Sequence, residues 1–114
     1  MTLGSLIKFV IPLGVLLSPP AHAISDAQYG SIKALGGLNG VALQCGYIEQ
    51  TRRMKRVLVA TLPKRRALGL AFDDATNESF LRFMEQKVGC MSEQELSGSV
   101  DEAIIRLKTE FSGD

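Results

Sequence analysis

The stretch Ile32–Cys45, IKALGGLNGVALQC, sets two local signals against each other. Ile32, Leu35, Leu38, Val41, Ala42 and Cys45 begin a series that continues through Ile48, Met54, Leu58 and Leu62 at spacings of three, four or six, the repeat of one helix face. Gly36, Gly37, Asn39 and Gly40 interrupt it, and Asn-Gly is a turn signal. Two outcomes satisfy this pattern. Either the chain breaks here, giving helices over 26–36 and 39–62, or an unbroken helix presents a small-residue face to a closely packed neighbour. The turn chemistry favours the break.

Outward from this stretch the pattern stays helical. Pro63 is tolerated in the first turn of a helix, where its missing N–H would have had no partner. Leu62-Pro63 therefore predicts a boundary, followed by a helix to about Lys87 with Leu68, Phe72, Phe80, Phe83 and Met84 inward. The polar run Asp73–Ser79 is a place where that helix would bend or split. Ser92 stands three residues before Glu95, the capping-box spacing. Beyond it Leu96, Val100, Ala103, Ile104, Leu107 and Phe111 fall within a sector of about 100° on a helical wheel, with nearly all charges outside. Ile105 lies off that stripe and is a candidate contact for a second copy or another chain. Alternating apolar segments bounded by turns are missing, so strands are not expected. The fold class predicted is all-α, a small bundle of three to four helices.

Upstream, Lys8 precedes an apolar run from Phe9 to Leu17, then Ser18, Pro19, Pro20 and the triplet Ala21, His22, Ala23. This reads as a signal peptide over 1–23, with a single helical domain over 24–114. The apolar core is shorter than the roughly 20 residues needed to span a bilayer. Export to the periplasm or outside the cell is expected. There Cys45 and Cys90, the only two cysteines, would form one intramolecular disulfide. Their wide separation is unlike a redox motif, and two thiolates without histidine make a poor zinc site. No cofactor or metal is expected.

The whole chain has 114 residues with thirteen Lys and Arg against twelve Asp and Glu. That size admits one domain. Without Lys8 the formal charge is zero, yet it is unevenly spread. Arg52, Arg53, Lys55, Arg56, Lys64, Arg65 and Arg66 fall between Thr51 and Arg66 with no acid among them. The residues from Ala67 onward carry a net charge of minus six, from ten acids and four bases. On a wheel the basic residues of 52–56 oppose Met54, Val57 and Leu58, so one face is cationic and the other belongs to the core. Arginine offers a planar fork of donors suited to carboxylates and phosphates.

An acidic protein partner is the reading these seven residues favour; the plain alternative is a solvated face paired with the protein's own acids. Nucleic acid is not expected for an exported, neutral chain lacking nearby stacking aromatics. Contact with a membrane surface has little support, because Val59 is the only large apolar residue within the cationic arc. Asp73, Asp74 and Glu78 lack the loop spacing and glycine of a calcium hand and read as helix-terminus or bend residues. Asn77-Glu78-Ser79 matches a glycosylation sequon.

Catalysis lacks parts. The one histidine, His22, belongs to the segment expected to be removed, leaving no imidazole base. The function expected is therefore a small exported, non-enzymatic binding or accessory protein, a class that includes inhibitors and immunity proteins. One alternative is an acid-stress chaperone. In gross plan, helical with one disulfide, the chain looks like the small acid-stress chaperones of the bacterial periplasm, an analogy of plan and not of motif. Protonation of Asp73, Asp74 and Glu78 beside Phe72 and Phe80 would then expose apolar surface. A binder of lipid or a small molecule in the helical core is the other.

Overall fold

A computed structural model describes residues 23–113, all of whose regular structure is helical. The signal-peptide reading falls, but for Ala23, outside these residues. Four helices follow one another: α1 Asp26–Cys45, α2 Ile48–Thr61, α3 Arg66–Gln86 and α4 Glu93–Glu110. Cys45 and Cys90 are joined, closing a loop with a sequence separation of 45. A covalent link of this span removes unfolded-state freedom equivalent to about 4 kcal/mol in the chain-entropy model.

The break expected at Gly36–Gly40 does not occur. Helix α1 runs unbroken through it, and the chain turns instead at Gly46, whose φ of 76° ends the helix as a left-handed cap bonded back to Ala42 and Leu43. Among the described residues positive φ is confined to Gly46, Lys87 and Gly113, so Gly36, Gly37 and Gly40 do not use the backbone freedom that turn prediction assigned them. Their missing side chains are used instead. A Cβ built on Gly36 would lie 2.7 Å from the Phe72 carbonyl oxygen and 2.8 Å from the Ala75 Cβ. On Gly40 it would lie 2.6 Å from the Thr76 carbonyl oxygen and 2.8 Å from the Phe80 nitrogen. Helices α1 and α3 thus touch at the backbone. The contacts advance along both chains together, so the two helices run parallel.

At this distance side chains reach backbone groups on the opposite helix. The Thr76 hydroxyl lies 3.2 Å from the Gly36 carbonyl oxygen and 2.9 Å from that of Phe72, and accepts from Asn39 Nδ2 at 3.2 Å. Ser79 Oγ donates to the Gly37 carbonyl at 2.6 Å, and Gln44 Nε2 to that of Phe80 at 3.4 Å. Asn39 therefore spends its donor across the interface, not on the local turn that its pairing with Gly40 suggested. Each helical glycine costs up to about 1 kcal/mol in propensity. Close packing and these bonds offset that cost.

Helix α1 is the hub, packing against α2, α3 and α4, while α2 also meets α4. Its N-terminus carries a complete capping box, Ser25 with Gln28, and Gln28 Nε2 reaches the Glu110 carbonyl at the far end of α4. That contact makes α4 antiparallel to α1. Arg53 and Gln50 of α2 reach Ser97 and Glu93 of α4, so α2 and α4 run parallel. The Ser92 cap holds as expected, its hydroxyl accepting from the Glu95 N–H. Leu96, Val100, Ala103, Leu107 and Phe111 are buried. With Ile32, Leu35, Ala42, Met54, Leu58, Leu68 and Phe72 they make a single core.

Three further expectations are corrected. Pro63 does not open the third helix; it lies in the connecting turn, where the Arg65 N–H bonds to its carbonyl, and Arg65 is the N-cap. The run Asp73–Ser79 does not split α3, which is continuous through it with the Thr76 and Ser79 hydroxyls directed into the α1 interface. Met84, expected inward, is 52% exposed, since α3 outruns its contact with α1 near the disulfide.

The glycine contact makes an unequal prediction for two neighbouring alanines. Gly40→Ala should destabilise by about 1–3 kcal/mol, the usual cost of overpacking a rigid site. Gly37→Ala meets nothing within 4 Å and should stabilise by about 0.5–1 kcal/mol. Urea unfolding of both variants reads the difference, and a neutral Gly40→Ala would refute the close contact. Removing the disulfide with Cys45→Ala and Cys90→Ala should lower stability by up to about 4 kcal/mol in the same assay.

Candidate functional site

The seven basic residues divide according to what surrounds them. Arg52 is exposed and bonded to Glu49 one turn earlier on α2. Arg53 points the other way, toward α4. Its guanidinium donates to the Ser97 carbonyl at 3.1 Å and pairs with Asp101 Oδ1 at 2.7 Å. Its side chain is only 30% exposed. This arginine ties α2 to α4 and has little left to offer a partner.

Lys55, Arg56, Lys64, Arg65 and Arg66 are exposed, and none forms an ion pair among the described residues. Lys55 and Arg56 stand on the outer face of α2. Lys64 belongs to the α2–α3 turn, Arg65 is the N-cap of α3 and Arg66 its first residue. That helix start has no side-chain cap and no acid in its first turn. The positive end of the helix dipole adds to the arginine charges there, where an acid would be the favourable charge.

Beside these cations the bundle is open. Helices α2 and α3 both pack on α1, but none of their Cα atoms come within 8 Å of each other. The space between them is a cleft of about 330 Å³. Leu58, Leu68 and Phe72 form its floor, Leu62, Pro63 and Gly69 its sides, and Lys55, Lys64, Arg65 and Asp73 stand around it. Val59, 73% exposed, lies on its lip. A shallow depression lined by Arg52, Lys55, Arg56, Val59 and Ala60 continues from it along α2, sharing Lys55 and Val59. The surface is thus an apolar trough flanked by cations. Charge counting along the sequence found the cations; the trough was not found, because its two walls come from helices brought together only by α1.

The remaining candidates lie elsewhere. Asp73, Asp74 and Glu78 are exposed on α3, whereas the adjacent Phe72 turns into the core. Asp74 and Glu78 line a groove with Tyr29 and Lys33 on the opposite flank of α3 from the cleft residues Leu68 and Gly69. Among the described residues no group of three His, Cys, Asp or Glu side chains is arranged to hold a metal. The sequon Asn77-Glu78-Ser79 sits in mid-helix with its serine hydroxyl committed to Gly37. Ile105 is 64% exposed on α4, away from the core stripe as its position suggested.

Comparison with protein-family models, with characterised proteins and with solved structures finds no match to this chain. Its disulfide indicates an oxidising, non-cytoplasmic environment.

The division of the basic residues is testable by stability alone. Arg53→Ala should cost about 1–3 kcal/mol, because it removes charge-assisted bonds joining two helices. Arg56→Ala should stay within about 0.5 kcal/mol of the parent, as surface substitutions usually do. Equal effects in chemical denaturation would erase the distinction between a structural and a free arginine.

Proposed function

We propose that this protein is a non-enzymatic binding or accessory module that works outside the cytoplasm and docks an acidic partner protein through Lys55, Arg56, Lys64, Arg65 and Arg66. The observation that carries this reading is the absence of any ion pair to these five cations among the described residues, in a domain whose later helices hold most of its acids. A merely solvated basic face would be expected to draw on those acids. Here the one acid of the adjoining cleft is Asp73, and Arg53 alone draws on α4. Arg65 and Arg66 at the start of α3 point the same way, since they sit where positive charge is locally unfavourable. Arginine-rich surfaces of this kind accelerate encounter with an acidic partner and select against basic ones.

The absence of histidine from the described residues and the pairing of both cysteines support a role without turnover. The covalent link and the glycine contact favour a rigid surface over one that remodels around a substrate.

The test is capture from the organism's exported proteins with the parent chain and with a K55E/R56E/R65E/R66E variant. The parent should retain an acidic protein at low salt and release it as screening increases. The variant should retain none. Its fold should not suffer, because glutamates at the start of α3 meet the helix dipole favourably, each by about 0.3–1 kcal/mol. A raised or unchanged melting temperature together with lost capture supports the reading. Undiminished capture by the variant removes it.

A further inference from the structure

The cations say what charge the partner carries; the trough beside them says what shape. We infer that the groove running from between α2 and α3 along α2 receives an amphipathic helix of the partner, apolar along one stripe and acidic along the flank that faces α2 and Lys64, laid beside α2 as a fifth helix of the bundle. This inference rests on the cationic face being the docking surface proposed above and names the element that occupies it.

Three observations lead here. First, α2 and α3 stand apart although both are fixed to α1, and the cleft between them presents exposed Val59 and half-buried Leu62 and Pro63 above the buried Leu58, Leu68 and Phe72. Second, the trough is elongated: the cleft and the adjoining depression share Lys55 and Val59, so together they extend along α2 from Arg52 to Leu62. Ten residues of helix span about 15 Å, close to three turns. A compact ligand would need only the cleft, whereas a helix presents apolar side chains every three or four residues and uses the whole length. Third, the cations lie along one side and at one end, while the α3 side carries the acid Asp73. Lys55 and Arg56 border the groove from α2, Lys64 and Arg65 close its end, and none has an acid of its own. An acidic flank on the incoming helix would satisfy these cations while its apolar stripe covers Val59, Leu62 and Pro63. The cations also disfavour basic amphipathic segments of the same apolar pattern.

The test uses the full chain with its disulfide intact, labelled with nitrogen-15, and two synthetic helical peptides of about four turns. Both carry Leu at the same helical spacing; one has Glu along one flank and the other Lys. The Glu peptide should shift the amides of Val59, Leu62, Gly69 and Phe72 in a saturable titration, and the Lys peptide should not. Gly69 is exposed, and a side chain added there meets nothing within 4 Å. Gly69→Phe therefore fills the cleft without altering any charge and should weaken the Glu peptide about tenfold, as loss of a buried anchor does. Val59→Asp, an exposed change on the lip, should weaken it as well. Circular dichroism verifies that both variants stay folded.

Failure of this inference separates from failure of the broader one. If K55E/R56E/R65E/R66E abolishes binding of the Glu peptide but Gly69→Phe and Val59→Asp leave it unchanged, the charged face stands and the groove does not. If both peptides bind equally and charge reversal has no effect, the acidic-partner reading falls too. No shift with millimolar Glu peptide overturns the groove. So does saturation of the same amides by dodecanoate with neither peptide binding, which would assign a lipid. Concentration-dependent dimerisation through these amides, read by sedimentation without peptide, would assign a second copy and overturn it likewise.

Discussion

The bundle depends on a place where two side chains are missing. Gly36 and Gly40 let α1 and α3 meet backbone to backbone, and no other residue fits, because even a methyl group would fall within 3 Å of main-chain atoms. That contact fixes α3 on one side of α1 and aligns the two in parallel. Thr76 and Ser79 then complete the interface by bonding carbonyls of the opposite helix, which side chains this short reach only across a narrow gap. The disulfide from Cys45 to Cys90 fastens the far end, where α3 has outrun its packing. Helices α2 and α4 take the other side of α1 and are joined to each other by Arg53. The cleft follows from this geometry. With α3 held tightly to α1 and α2 drawn toward α4, nothing pulls α2 and α3 together.

How much of this could be read from the sequence depends on how local each determinant is. Helix α4 was legible because its cap, its apolar stripe and its charged face lie within one segment. The disulfide was legible because two cysteines allow only one intramolecular pair. The Gly36–Gly40 stretch was misassigned for a physical reason: glycine next to asparagine is equally consistent with a turn and with a close helix contact, and the deciding residues, Thr76 and Ser79, lie on another helix. Their hydroxyls also give the polar run of α3 partners within an unbroken helix. Pro63 was displaced from its expected place because the turn needs three more residues before α3 can start at Arg66.

The candidate site shows the same split. Seven cations were visible as a run of charge, and a wheel placed Arg53 in the same sector as its neighbours. Only the fold shows that Arg53 faces Asp101 and Ser97, a difference created by α4 passing along one edge of α2 and not the other. Charge is a property of composition; availability of charge is a property of packing. The apolar trough was beyond the sequence altogether, because Leu58, Leu68 and Phe72 each read as ordinary core residues, and so they are. They stay buried and yet floor a cleft, because α2 and α3 do not pack against each other along that edge.

Uncovered apolar residues and unpaired charge at the same edge have a common energetic meaning. A small domain has little stability to spare, and this one leaves apolar surface uncovered while holding two arginines at the unfavourable end of a helix. Each feature alone could be an incidental weakness. Together they are complementary to one kind of surface, because an acidic amphipathic element would relieve both, covering Val59, Leu62 and Pro63 and neutralising the cations beside them. The rigid parts of the molecule lie opposite: the glycine contact, the hydroxyl bonds to backbone and the disulfide keep the edge from closing on itself. Were α1 and α3 free to slide, α2 could approach α3 and cover Val59, Leu62 and Pro63 within the bundle. Tight packing on one side of α1 is therefore what keeps the other side of α3 available.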